Sequence, residues 1–424
     1  MEQTPTSLDA LFAFLVAGLL ALLLTPLTTR LALRVGAIDE PNERSLHTAP
    51  MPKLGGLAIL AGVLVAGFVW LPWEGESRAI LLGAIAIALV GVADDVFDLN
   101  PAVKLLGQTA AVIIPVSSGV TVSDFTFPFF GRLDPGSVDL FTLPWDGVVH
   151  LGDVGTVLGI VAMINVINLI DGVDGLAAGV CAISAITLAI VALSLDRTAA
   201  GVLAALTAGA ALGFLRHGFP PATTFMGDTG SNLLGYLLGA VAVQGALKTN
   251  AVIALFLPLI ILAVPILDTG FVVAKRLKYR RPIYKADRWH FHHRMANIGF
   301  SQRRTLLYLY GWTLVMAALA LALRFVPYSD DHGSFDPAWT AVMIVFGLLA
   351  LAASVYLVSV LEILTLRQMR LRQLVGVRRQ AGRAAPASQE VDEAVAQELE
   401  TGSFPVVDPE TGEFEALGPE PPGG

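Results

Sequence analysis

One cysteine, Cys181, stands among 424 residues, so the chain holds no internal disulfide framework. Charge is scarce too. Asp, Glu, Lys and Arg make up 15% of the sequence against 55% hydrophobic residues, and mean hydropathy is +0.69. A soluble domain of this length would not carry so many apolar runs with so little charge between them. No internal repeat of fixed period is visible, which weighs against a transporter built from inverted halves. No nucleic-acid partner is expected. A cleavable signal peptide is not evident either: residues 8–28 are too long and continuous and lack a small-residue cleavage site, so they read as a first spanning helix.

What is present is a series of apolar runs near 8–28, 54–71, 79–93, 102–119, 152–169, 172–195, 199–216, 232–247, 251–273, 305–326 and 338–364. Crossing a bilayer takes roughly 20 apolar residues, so the expected fold is an all-α polytopic membrane protein with about 11 spans. With the N-terminus outside and the C-terminus in the cytoplasm, 22 lysines and arginines fall on the cytoplasmic side and 5 on the other. That split follows the positive-inside rule. The segment 119–150 alternates apolar and polar residues between turn signals and suggests a small external hairpin.

The net charge of −8 belongs to the end of the chain: residues 381–424 hold ten acids and one base, Arg383. The expected organisation is a transmembrane domain over 1–366, then a basic juxtamembrane segment and an acidic tail over 367–424. The tail has too few apolar residues to offset ordering entropy, although 390–399 is compatible with a short helix.

Carboxylates, histidines and cations gather in five clusters, 39–56, 94–108, 165–175, 225–232 and 287–304, each abutting an apolar run on the same membrane side. Ionisable groups are costly near lipid, so their recurrence at one face points to a built site. Asp94-Asp95-Val-Phe-Asp98-Leu-Asn-Pro101-Ala-Val-Lys104 places two adjacent carboxylates that repel unless a cation or proton joins them; Mg²⁺ bridged to phosphate suits such oxygen ligands. In Asn165-Val-Ile-Asn168-Leu-Ile-Asp171-Gly-Val-Asp174-Gly175, the two asparagines share a helical face and two Asp-Gly pairs break the helix. Phe225-Met-Gly-Asp228-Thr-Gly-Ser231-Asn232 offers a carboxylate between glycines at a helix start, where Ser231 or Asn232 also suits an ordinary cap. Asp287-Arg-Trp-His290-Phe-His292-His293-Arg294 lies in the most basic loop; its spacing matches no familiar zinc site, and it suits phosphate or sugar binding better. The proline-stiffened first loop presents Arg44, His47 and Lys53, a combination suited to an anion.

In order and spacing, these clusters resemble the polyprenyl-phosphate N-acetylhexosamine-1-phosphate transferases over roughly residues 1–365. The resemblance implies transfer of a sugar-1-phosphate from a UDP-N-acetylhexosamine to polyprenyl phosphate, releasing UMP, by a multi-pass enzyme of the inner or plasma membrane whose site faces the cytoplasm. It implies Mg²⁺, with Mn²⁺ as a substitute, held by Asp228 and Asn168. It implies catalytic roles for Asp94, Asp95 and His290, and substrate contacts from Asp171, Asp174, Phe225, Arg44, His47, Lys104, His292, His293 and Arg294. It is also compatible with a homodimer. The His290-to-Arg294 run and the first loop look more like the GlcNAc branch than the muramoyl-pentapeptide branch. The rival from another class is a cation- or proton-coupled transporter, whose acids should stand at mid-helix rather than at one face. A CDP-alcohol phosphotransferase fits less well, because Asp174-Gly-Leu-Ala is followed by Ala-Gly and not by arginine.

Overall fold

The computed structural model describes residues 5–41, 49–123, 125–127, 131–142, 147–245, 252–278, 291, 294–295, 300–327, 336–352 and 354–356. Arg44, His47, His290, His292, His293 and the whole of 367–424 lie outside these.

Among the described residues, the long apolar runs are helical. The helices are α1 (Ser7–Val35), α2 (Gly56–Trp70), α3 (Gly75–Phe97), α4 (Pro101–Val116), α5 (Leu151–Ile170), α6 (Leu176–Ser194), α7 (Thr198–Gly218), α8 (Gly227–Gly245), α9 (Val252–Ile261), α10 (Ala263–Lys278) and α11 (Gln302–Phe325). A further helix covers Pro337–Tyr356. Among the described residues, seven helices are long and apolar enough to cross a membrane, and α2 and α4 are shorter apolar ones. The chain is therefore a multi-pass membrane protein. Segment 119–150 holds two short antiparallel hairpins where one was expected: β1 (Phe125–Phe127) with β2 (Gly131–Leu133), and β3 (Asp139–Thr142) with β4 (Val148–His150).

Local chemistry sets the helix ends. Thr6 and Asp9 cap each other's backbone at the start of α1, and Gly36 closes it in a left-handed conformation. The run 251–273, expected as one span, breaks at Leu262 between α9 and α10. Pro265 has no N–H to offer the carbonyl of Ile261, and that carbonyl instead accepts the Ser184 hydroxyl at 3.2 Å.

α8 is the axis of the bundle. Every residue from Thr229 to Gly245 is buried, and α2, α3, α5, α6 and α7 pack around it. Small residues allow this closeness, as expected where lipid removes the hydrophobic drive between helices. A Cβ at Gly91 of α3 would strike the Thr229 backbone, and one at Gly56 of α2 would strike Gly230. α1 lies against α7 through its buried stripe Ala10, Ala13, Ala17 and Ala21.

These contacts give opposite signs for two glycine substitutions. Gly56→Ala forces backbone apart and should cost about 1–3 kcal/mol. Gly155→Ala meets nothing within 4 Å and should stabilise by up to about 1 kcal/mol through helix propensity. Thermal melts of the two purified variants in one detergent check the pair.

Candidate active site

Several helix ends converge on one side of the bundle because the chain alternates direction: α3, α5 and α7 end there, and α2, α4, α6 and α8 begin there. The links 98–100, 171–175 and 219–226 carry the polar motifs.

Asp95, in the last turn of α3, is the N-terminal cap of α8. One carboxylate oxygen accepts the Asp228 N–H at 2.9 Å; the other accepts the Thr229 N–H at 3.0 Å and its hydroxyl at 2.7 Å. Neither Ser231 nor Asn232 caps this helix. The Ser231 hydroxyl turns back to the Gly227 carbonyl at 3.1 Å. Gly227 has φ 66°, and a side chain there would strike the Lys53 carbonyl and the Asp95 carboxylate. Only glycine fits.

With α8 held this way, Asp228 meets α4 and α5. The Asn168 amide donates to the Asp228 carboxylate and to Ser231 Oγ, the latter at 2.9 Å. Lys104 Nζ lies 3.0 Å from Asp228, 2.7 Å from Asp94 and 3.4 Å from Asn168 Oδ1. The other oxygen of Asp94 accepts the Leu99 N–H at 2.8 Å. One ammonium thus bridges two carboxylates that would otherwise repel.

Beside this junction opens a cavity of about 350 Å³, lined by Asp95, Asn168, Asp171, Asp174, Phe225 and Asp228, and by Asp39 and Lys53 of the first loop. Burial, reinforced by the Asp228, Asp95 and Asp174 carboxylates, pushes Asp171 well above the usual carboxylate range. Asp174 is tied differently: it accepts the Ala222 N–H at 3.0 Å and so holds the α7–α8 link. Phe225 is fixed through its backbone. Its N–H donates to Pro52 at 2.8 Å, and its carbonyl accepts from Gly55 at 2.9 Å.

Of the fourteen residues the resemblance points to, eight therefore stand at or beside one cavity: Asp94, Asp95, Lys104, Asn168, Asp171, Asp174, Phe225 and Asp228. Arg294 is not among the lining residues; it is buried with its guanidinium 4.8 Å from the Phe271 ring centroid. The remaining five lie outside the described residues. The sequence reading passed over Asp268, which is 4% exposed in α10 and accepts the Phe291 N–H at 2.7 Å. It thereby holds the residue between His290 and His292. A lone acid inside the apolar run 251–273 was the available signal. Asp39 and Lys53 of the first-loop cluster, where Lys53 is read as suited to an anion, also line the cavity.

The donor set fits a divalent cation. Among the described residues no group of three or more His, Cys, Asp or Glu is arranged around one point. Mg²⁺, however, takes one or two carboxylates and completes its shell with water and substrate phosphate. Asp228 offers hard oxygen, Asn168 an amide beside it, and the Lys104 ammonium between Asp94 and Asp228 marks where positive charge is required.

A family model described as "Glycosyl transferase family 4" matches residues 77–246. A Bacillus subtilis protein named "Probable undecaprenyl-phosphate N-acetylglucosaminyl 1-phosphate transferase" is 37% identical over 315 residues, covering 73% of this chain and 84% of that one. The decaprenyl-phosphate N-acetylglucosaminephosphotransferase of Mycolicibacterium smegmatis is 33% identical, covering 77% and 84%. The phospho-N-acetylmuramoyl-pentapeptide-transferase of Desulforudis audaxviator is 33% identical, covering 75% and 98%.

Two substitutions should move stability in opposite directions in EDTA. Lys104→Met leaves Asp94 and Asp228 facing each other and should cost about 2 kcal/mol, below the loss expected for a fully buried pair because Asp228 keeps 30% side-chain exposure. Asp171→Asn should instead raise the melting point at pH 7–8. A carboxyl whose folded pKa is raised loses stability as pH climbs above its unfolded value of about 4, and the amide removes that loss. Melting curves at pH 5 and pH 8 read both.

Proposed function

Because this chain belongs to glycosyl transferase family 4, we propose that it transfers N-acetylglucosamine-1-phosphate from UDP-GlcNAc to a polyprenyl phosphate such as undecaprenyl phosphate. The products are the polyprenyl-diphosphate sugar and UMP, and the step initiates a cell-envelope glycan. The observation that carries this reading is the junction of Asp94, Lys104, Asn168 and Asp228 beside a cavity that Asn168 and Asp228 help to line.

Positioning and charge neutralisation do most of the work in phosphoryl transfer. An oxygen of the lipid phosphate attacks the sugar-bearing phosphorus, the bond to the UMP oxygen breaks, and no oxidant or reductant is needed. Asp228 and Asn168 are the residues that would hold Mg²⁺, or Mn²⁺ in its place, and Lys104 shares the load of neutralising the phosphates. A cation held by these two residues would neutralise charge on the pyrophosphate and so make UMP a better leaving group. Asp171 and Asp174 face the nucleoside side of the cavity, where Phe225 is available to stack on uracil. Asp95 serves the reaction by fixing α8.

Asp94 is already engaged by Lys104 and by the Leu99 N–H. That engagement favours direct attack by the lipid phosphate, largely dianionic near neutral pH, over a covalent aspartyl-phosphate; Asp94 then contributes modestly as a base. Arg44, His47, His290, His292 and His293 complete the reading as ligands of diphosphate and sugar, with His290 taking the catalytic role; Arg294, buried against Phe271, is left out of it. The 22-to-5 split of lysine and arginine supports eleven spans, an external N-terminus and a site facing the cytoplasm from the inner or plasma membrane. The muramoyl-pentapeptide substrate is the second reading, favoured only by the 33% identity to a member of that branch.

The test is UMP release by purified protein with Mg²⁺, undecaprenyl phosphate and either UDP-GlcNAc or UDP-MurNAc-pentapeptide. Lipid- and metal-dependent release from UDP-GlcNAc is expected, falling about 100-fold or more in Asp228→Asn. Release from the muramoyl substrate alone would move the chain to the other branch. A ³²P label trapped on Asp94 after incubation with donor alone would overturn direct attack.

A further inference from the structure

One helical turn further along from the ionic junction lies a second polar layer that the proposed chemistry does not use. Gln108 and Asn232 are fully buried, and Asn165 is partly buried. The Asn165 amide donates to Gln108 Oε1 at 2.8 Å, and the Gln108 amide donates to Asn232 Oδ1 at 3.5 Å. Asn165 also donates to the carbonyl of Val161 at 2.8 Å. Asn232 Nδ2 has no hydrogen-bond partner among the described residues.

The spacing of these residues is the informative part. Gln108 stands four residues after Lys104 on α4, Asn232 four after Asp228 on α8, and Asn165 three before Asn168 on α5. Residues three or four apart share a helix face. Each of the three helices therefore supplies one member of the junction and, one turn away, one member of the amide layer. Gln108 is held at both ends, its oxygen by α5 and its nitrogen by α8. That double attachment fixes how α4 is rotated about its own axis, and the same rotation decides where the Lys104 ammonium points. In a membrane interior an amide left without its partners is costly, so a polar layer at this depth needs a reason beyond packing.

We propose that Gln108, Asn165 and Asn232 form a positioning layer that sets the rotation of α4 against α5 and α8 and so holds Lys104 between Asp94 and Asp228. The inference rests on the transferase reading of the junction. The layer touches neither substrate nor reacting atoms, and its effect passes through Lys104.

Gln108→Met keeps size and removes both hydrogen bonds. Asn165→Ala, at a partly exposed position, is the milder second variant. Both are compared with the wild-type full-length protein in detergent by UMP release and thermal melting. In each, kcat should fall about 10- to 100-fold, the range seen when partners that orient functional groups are removed. KM for UDP-GlcNAc should stay close to wild type, and any drop in melting temperature should leave both variants folded at the assay temperature. The double variant should lose no more than the worse single one, because the three amides act as a unit. Unchanged kcat in the folded variants would overturn the inference, as would losses that merely track the folded fraction or multiply in the double variant. A wild-type protein releasing no UMP would instead overturn the transferase reading itself.

Discussion

The arrangement depends on one hydrogen-bonded junction between two helices that are far apart in sequence. Asp95 closes α3 and simultaneously caps α8, taking two backbone N–H groups and a hydroxyl. A cap is ordinarily local, supplied by the residue just before the helix. Here it comes from 133 residues away, so the start of α8 is fixed to α3 and not to its own loop. Gly227 permits the approach, Gly91 and Gly56 let neighbouring helices close on the same turn, and Asp228 is delivered to the one place where α4 and α5 present Lys104 and Asn168.

Charge makes this junction both necessary and expensive. Carboxylates at the end of a membrane bundle lose hydration and repel one another. Lys104 offsets the repulsion between Asp94 and Asp228, and Asn168 adds a neutral donor. Asp171 is flanked by acids, and burial together with those neighbours holds its carboxyl well above the usual range. Such a site spends folding stability to keep negative charge ready for a cation and the phosphates that accompany it, in line with the general conflict between stability and function.

Much of this was legible in the sequence, for physical reasons. Apolar length marks spanning helices because a bilayer has a fixed thickness, and the polar clusters stand out because charge is so rare elsewhere. The pairings were not legible. Nothing local tells Asp95 from Asp94, yet one caps α8 while the other meets Lys104. Asp174 looks like Asp171 but anchors the α7–α8 link through the Ala222 N–H. The break at Leu262 arises where Pro265 leaves the Ile261 carbonyl to Ser184, a residue of another helix. Asp268 stands out as a lone acid in an apolar run, but its partner, the Phe291 N–H, does not. Each of these depends on which helix lies alongside, which a single sequence does not encode locally.

The central claim is that the Asp95 cap holds α8 in the position that presents Asp228. Hydrogen–deuterium exchange of the peptide covering residues 226–235 tests it most directly, comparing wild type with Asp95→Leu in the same detergent. The account predicts markedly faster exchange at this helix start in the variant, with the distant half of α8 unchanged and transfer lost. Unchanged exchange at residues 228 and 229 would show that α8 holds its place without Asp95, and would contradict the account.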